Sequence, residues 1–315
     1  MELSTGTVLT EHNADAQLPM ASTTKILTAI IIIEDCNLDE VITVPTEAVG
    51  VEGSSIYLKK DEQIDIRDLL YGLMLRSGND SATALAIHHS GTVEKFAEVM
   101  TERARQMGAE HSNFKNPSGL PDSEHYTTAR DLCKIACYAM NNPQFKQIVS
   151  TTNYNGKFRS FANKNKMLHK YGGANGVKTG YTVKAGRCLV SSAERNGMDV
   201  VCVVLNCPDM YERSCAIFDN CFRDYKLLDL NEDKVFMCNQ VLCKIFKSQN
   251  KVVNTATEIE YKVKPLKNEL IIDGKKIIAE LEIYSGNNLL FTEKLYRAWY
   301  LRGVSSDFIG SSSKI

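Results

Sequence analysis

No stretch of the 315 residues reaches the ~18 consecutive apolar positions of a membrane span. The longest greasy run, Ile26 to Ile33, is too short and is interrupted by Thr28. Neither sign of charge is in excess. Lys and Arg number 37 against 38 Asp and Glu, a net charge of −1, so nothing marks a nucleic-acid or anionic-membrane partner. Proline (7) and glycine (19) are too scarce for a disordered or collagen-like chain. HExxH is missing. None of the ten cysteines forms a CxxC, and no Cys/His group has zinc spacing, so neither a metal nor another cofactor is expected. The opening Met-Glu-Leu-Ser-Thr-Gly lacks the basic and apolar regions of a signal peptide. Taken alone, that start and ten cysteines without a disulfide pattern read as cytosolic.

What remains is an ordinary globular balance, 43% hydrophobic and 24% charged, with the length of two domains at ~150 residues each. Residues 22–34 read as a buried helix. Residues 66–76 and 80–88 read as helices flanking Ser77-Gly78-Asn79. Helical spacing of apolar residues continues over 92–107 and over 127–140, the latter with Thr127 or Thr128 as N-cap. Segments 187–195 and 199–206 form a hairpin around Asn196-Gly197. If Arg195 faces Met198 in that hairpin, Cys202 lies opposite Ser191 and Cys188 opposite Leu205. The two cysteines then point to opposite sheet faces and cannot bridge. A helix is expected over 211–228. Beyond ~230 the segments 234–247, 257–264, 269–272, 275–284 and 289–296 are short and rich in Val, Ile and Tyr, with turns at Asp273-Gly274 and Gly286-Asn287-Asn288, as in a small all-β domain. The expected domains are 1–228 and 229–315.

Three short motifs stand out. Ser22-Thr-Thr-Lys25 places a hydroxyl and an amine one helical turn apart. A serine needs a base to become a nucleophile, and a lysine in a dry pocket has its pKa lowered enough to serve. The spacing alone is weak, since it recurs at Ser112/Lys115, Ser248/Lys251 and Ser311/Lys314. The first copy differs in opening the most apolar helix of the chain, where a charge is costly unless used or paired. Ser77-Gly-Asn79 is equally short, and simple N-capping would account for it. Lys178-Thr179-Gly180 occurs once and precedes the hairpin. It offers donors to an anion and a glycine that admits a close ligand.

In this order the three motifs make the set of the β-lactamases and penicillin-binding proteins. The text around Pro19–Lys25, Asp68–Asp80, Asn116–Leu120, Tyr126–Asp131 and Gly176–Thr182 closely resembles the D-alanyl-D-alanine carboxypeptidases, the low-molecular-weight penicillin-binding proteins. The resemblance is strong over about residues 1–228 and weaker over the β segments. It implies an α+β fold: a β-lactamase/transpeptidase-like catalytic domain, with an antiparallel sheet carrying helices on both faces, followed by a small all-β domain. It implies that Ser22 attacks the D-Ala-D-Ala carbonyl with Lys25 as base, that Ser77 relays a proton to the leaving amine, and that Asn79 bonds Lys25 or the substrate amide. Lys178 and Thr179 would hold the terminal carboxylate. The N–H groups of Ser22 and Tyr181 would form the oxyanion hole, and Gly180 would let the substrate lie close to the strand backbone. Arg213 is a second candidate for the carboxylate.

The implied partners are peptidoglycan stem peptides ending in D-Ala-D-Ala and β-lactam antibiotics. A serine β-lactamase shares the motifs, but the Glu-x-x-Leu-Asn type signature of its class A deacylation glutamate is missing. A non-catalytic wall-binding protein would not need the full set. The six histidines, including His88-His89, read as helix-surface residues. Peptidoglycan lies outside the membrane, so an extracytoplasmic location is expected. On this reading the chain begins inside its family's first strand and looks clipped, and the cysteines become buried small hydrophobes. Residues 297–315 show no basic amphipathic anchor pattern.

Overall fold

The most apolar stretch of the chain becomes a helix enclosed on all sides. The computed structural model describes residues 1–230, 234–247 and 250–298. A 3-10 turn, Ala21–Thr24, leads into α1 (Lys25–Asp35), in which every residue from Lys25 to Ile33 is buried. Four consecutive isoleucines favour a strand by local preference. Burial of all four against neighbouring helices overrides it, since tertiary packing supplies most of a helix's stability. The chain continues through β1 (Val41–Thr43), β2 (Gln63–Asp65) and α2 (Ile66–Tyr71). A π-type turn at Gly72–Arg76 separates α2 from α3 (Asn79–Ser90). Next come α4 (Val93–Gln106) and α5 (Ala129–Met140). Thr128 rather than Thr127 caps α5, its hydroxyl accepting the Asp131 N–H at 3.0 Å. α6 (Pro143–Ser150), the small β3–β4 hairpin (Asn153–Asn155, Ser160–Ala162) and α7 (Met167–Lys170) lead to the main sheet.

That sheet is antiparallel, in the order β5 (Ala174–Thr182), β6 (Gly186–Arg195), β7 (Met198–Val204). Met1–Leu3 lies along the outer edge of β7, where the Val201 amide bonds the Met1 carbonyl at 2.9 Å. Asn196 and Gly197 turn with φ of +53° and +76°, the pair of positive values a two-residue hairpin turn requires. The register is the expected one, Arg195 against Met198 and Ser191 against Cys202. Helices cover both faces: the Ser192 hydroxyl meets Met140 of α5, while Cys202 meets Ser214 of α8 (Met210–Asp224).

Two compact units divide the chain, Met1–Phe222 and a second beginning at Arg223, six residues earlier than the expected second domain. The helix expected to run to 228 stops at Asp224, because Tyr225–Leu228 (β8) pairs with Lys251–Asn254 (β11). The second unit's five-stranded sheet runs β12 (Glu260–Ile272), β13 (Lys275–Ser285), β14 (Asn288–Arg297), β10 (Val241–Ile245), β9 (Val235–Cys238). Alternate residues of β13, Ile277, Ala279, Leu281 and Ile283, fill its core. The expected single segment 234–247 breaks at Asn239-Gln240, a turn without glycine. The expected segments 257–264 and 269–272 fuse into β12 across a register shift after Pro265. The anchor reading of 297–315 falls, after Ala298, outside the described residues.

Candidate active site

Lys25 has no exposed surface and is among the largest fully buried side chains of the described residues. Its Nζ lies 3.0 Å from Ser22 Oγ, 2.7 Å from Asn79 Oδ1 and 2.6 Å from the Ser118 carbonyl, with no carboxylate among its partners. Burial, and then the neighbouring Lys178 cation, push its pKa well below the ordinary 10.5, against a weaker pull from Asp80. Asn79 is held in turn. Its Nδ2 donates to the Glu52 carbonyl at 2.5 Å and its amide to the Ser54 carbonyl at 2.7 Å. That loop hangs on the next residue, since Asp80 accepts from the amides of Ile56 and Leu58 and from the Ser55 hydroxyl.

The Ser118 carbonyl reaches Lys25 from a turn organised by one side chain. Asn116 Oδ1 accepts the amides of Ser118, Gly119 and Leu120, and Thr28 Oγ1 ties the Pro117 carbonyl to α1 at 2.7 Å. Gly119 has φ +84°, and a Cβ there would lie 1.9 Å from the Ala21 carbonyl oxygen, so only glycine fits. Asn116 and Asp80 fall in the stretches that carried the family resemblance. The Ser118 contact is made by backbone and leaves no mark in residue type.

β5 supplies the opposite wall. A Cβ on Gly180 would sit 3.0 Å from the Ser22 amide nitrogen, so the strand runs against the start of the 3-10 turn. The Cys207 amide bonds the Arg187 carbonyl, which turns Arg187's backbone toward β7. Tyr181, its partner in the β5–β6 ladder, therefore points its amide away from β6 to the open edge of the sheet, on the Ser22 side. Its side chain is exposed. Lys178 is buried. Its Nζ donates to the Thr179 carbonyl at 2.9 Å, and burial, with Lys164 second, brings its pKa down to about 7. Ser77 is held in the left-handed region, φ +67°, between the π-type turn and α3. Among the described residues its hydroxyl bonds no other group.

Ser22, Lys25 and Asn79 thus meet directly, and Gly180 brings β5 against them. Arg213 is not drawn in: its partner is Asp209, at 3.9 Å in the turn just before α8. The other Ser-x-x-Lys copies are structural or undescribed. Ser112 bonds Thr127 and Asp131, while Ser248 and Ser311 lie outside the described residues. Among the described residues no three His, Cys, Asp or Glu side chains gather as a metal site. Three histidines depart from the helix-surface reading: His12 and His111 are exposed on loops, and His125 is in a loop, 3% exposed, and bonded to Thr24.

The chain is similar to known proteins in sequence and in fold. The family model described as D-alanyl-D-alanine carboxypeptidase, peptidase S11, matches residues 1–209. A D-alanyl-D-alanine carboxypeptidase of a Streptomyces species (strain K15) is 36% identical over 227 residues, 65% of this chain and 78% of its own. D-alanyl-D-alanine carboxypeptidase DacF of Bacillus subtilis is 29% identical over 296 residues, 88% and 74% of the two chains. The crystal structure of penicillin binding protein 5 from Haemophilus influenzae superposes with a TM-score of 0.79 at 26% identity, over 94% of each chain. With Ser22 and Asn79 both on one buried lysine and the family model matched over residues 1–209, two thirds of the length, the chain belongs to the D-alanyl-D-alanine carboxypeptidase family.

Proposed function

We propose that this chain is a serine-type D,D-carboxypeptidase that removes the terminal D-alanine of peptidoglycan stem peptides through an acyl-enzyme on Ser22. The observation that carries the reading is the set of partners around Lys25. A neutral amine has two N–H bonds and one lone pair. Asn79 Oδ1 and the Ser118 carbonyl can only accept, so they take both hydrogens. The lone pair is left facing Ser22 Oγ at 3.0 Å, ready to take the hydroxyl proton as Oγ attacks the peptide carbonyl. Burial favours the neutral form that this step needs.

The developing oxyanion is assigned to the amides of Ser22 and Tyr181, donors of a kind commonly worth ~3 kcal/mol in the barrier. Ser77, with its hydroxyl uncommitted, passes the proton to the departing D-alanine. Lys178 and Thr179 hold the terminal carboxylate. Arg213 is the second cation for that carboxylate, and it has to leave Asp209 to serve. Water then releases the acyl group by the same route. β-Lactams acylate Ser22 because their ring amide and neighbouring carboxylate mimic the scissile amide and terminal carboxylate of D-Ala-D-Ala. A substrate of this kind puts the enzyme on the outer side of the cytoplasmic membrane; no helix among the described residues is long and apolar enough to cross one.

The deciding experiment incubates the protein with a fluorescent penicillin and with a diacyl-D-Ala-D-Ala peptide, beside Ser22→Ala. Labelling and D-alanine release, both lost in the variant, are expected. Rapid turnover of the penicillin would favour a β-lactamase, and labelling without release a penicillin-binding protein that does not trim. Unchanged labelling of Ser22→Ala would sink the assignment.

A further inference from the structure

His125 touches none of the reacting atoms yet leans on the residue next to Lys25. Its Nδ1 accepts the Lys115 amide N–H at 3.0 Å, and a backbone amide can only donate, so Nδ1 carries no proton. The ring proton is therefore on Nε2, which donates to Thr24 Oγ1 at 2.8 Å. Phe114 packs edge-on against the ring, with centroids 5.6 Å apart. Two charges bear on it, Asp122 from its own loop and Lys25 from α1, in opposite senses. Burial outweighs both and brings its pKa down to about 4. The Lys115 ammonium is engaged elsewhere, 3.4 Å from Glu124.

We propose that His125 is a positioning residue for the reaction: its neutral imidazole pins the 115–125 loop to Thr24 and so keeps the Ser118 carbonyl on Lys25. The linkage is short at both ends. Lys115 stands three residues before Ser118, and Thr24 adjoins Lys25. Together with the Thr28–Pro117 bond it fastens the turn at two points, which fixes where the Ser118 oxygen lies. Released from His125, that oxygen moves off Nζ. The amine then has one committed hydrogen instead of two, and its lone pair is no longer confined to Ser22. Substrate carboxylate binding, at Lys178 and Thr179, is left alone, so the loss falls on the acylation step.

The inference rests on the Ser22–Lys25 reading, and its test separates the two. Acylation by a fluorescent penicillin is resolved into Kd and the first-order acylation rate for the wild type, His125→Phe and His125→Gln. In His125→Phe the rate should fall about tenfold or more, with Kd within about threefold. Glutamine, with one donor and one acceptor, should restore most of the rate. Nitrogen-15 NMR of the wild type should show His125 as the neutral Nε2–H tautomer between about pH 8 and 5. A wild-type rate in His125→Phe, equal losses of rate and affinity in both variants, or an Nδ1–H tautomer would each overturn the proposal. The NMR result and the glutamine variant decide it even where phenylalanine prevents folding. Continued labelling of Ser22→Ala would instead remove the catalytic reading beneath it.

Discussion

On the proposed function Lys178 binds a carboxylate from a buried position that favours its neutral form. With its pKa brought down to about 7, the lysine is part-neutral in the free enzyme at neutral pH, and a neutral amine attracts a carboxylate poorly. KM for a D-Ala-D-Ala peptide should therefore rise as pH climbs above about 7, with kcat less affected. KM measured between about pH 6 and 9 checks this, and a flat profile would refute it. The same burial makes the residue a stability cost. Lys178→Met should lose activity and gain about 1 kcal/mol toward denaturant at pH 7. The sign of the pH dependence follows from linkage. Unfolding returns the lysine from about 7 to 10.5, so between those values the unfolded chain binds more protons, and wild-type stability rises with pH relative to the methionine variant. Urea midpoints of both proteins at two pH values measure it. The approach of Ser22 to Lys25 was legible in the sequence, because one helical turn has a fixed residue count, although it took the family resemblance to single out this copy of the spacing. Three of the groups around them were not. The Ser118 carbonyl has no residue type, while His125 and Asn116 act through a loop whose shape no periodicity announces.

At the scale of elements, the Asn116–Leu120 turn tolerates least. Gly119→Ala would drive its methyl into the Ala21 carbonyl, on the backbone next to Ser22, in a conformation that L side chains rarely adopt. Acylation of this variant should fall at least about tenfold and its melting temperature should drop, whereas Gly91→Ala, also at positive φ but in open space, should lose only stability. Penicillin labelling and thermal melts of the two separate site damage from strain. Helix α5 offers a simpler case: Thr128→Ala removes its N-cap at about 1 kcal/mol, read from a urea midpoint. Elements with local signatures were readable in advance. The β6–β7 register followed from Asn196-Gly197, and the cap of α5 was narrowed to Thr127 or Thr128 by their place before an amphipathic run. β8 and β11 were not, since Tyr225–Leu228 continues the helical text and becomes a strand only by meeting Lys251–Asn254. Asn239-Gln240 turns without the glycine that would have flagged it.

Among the described residues the ten cysteines form no disulfide, and seven of them are buried. Cys188 sits with Ala21 and Ala185 under the site, and Cys238 and Cys243 belong to the core of the second unit. They serve as small apolar residues, as the hairpin geometry of Cys188 and Cys202 suggested. At most three thiols, those of the half-buried Cys36, Cys207 and Cys215, should react with a disulfide reagent in the folded protein, and all ten after denaturation. A fourth fast-reacting thiol would show that one of the two cores opens.

Those enclosed thiols also make the protein's durability depend on its history. While folded, each core hides its sulfur from oxidants, and the three half-buried thiols have raised pKa values and react sluggishly. One unfolding event in air exposes all ten together, and random cross-links then trap chains that would otherwise return. Recovery after heating should be near complete with a reductant present and poor without it, so the same molecule behaves as reversible or irreversible according to the redox state it meets while open.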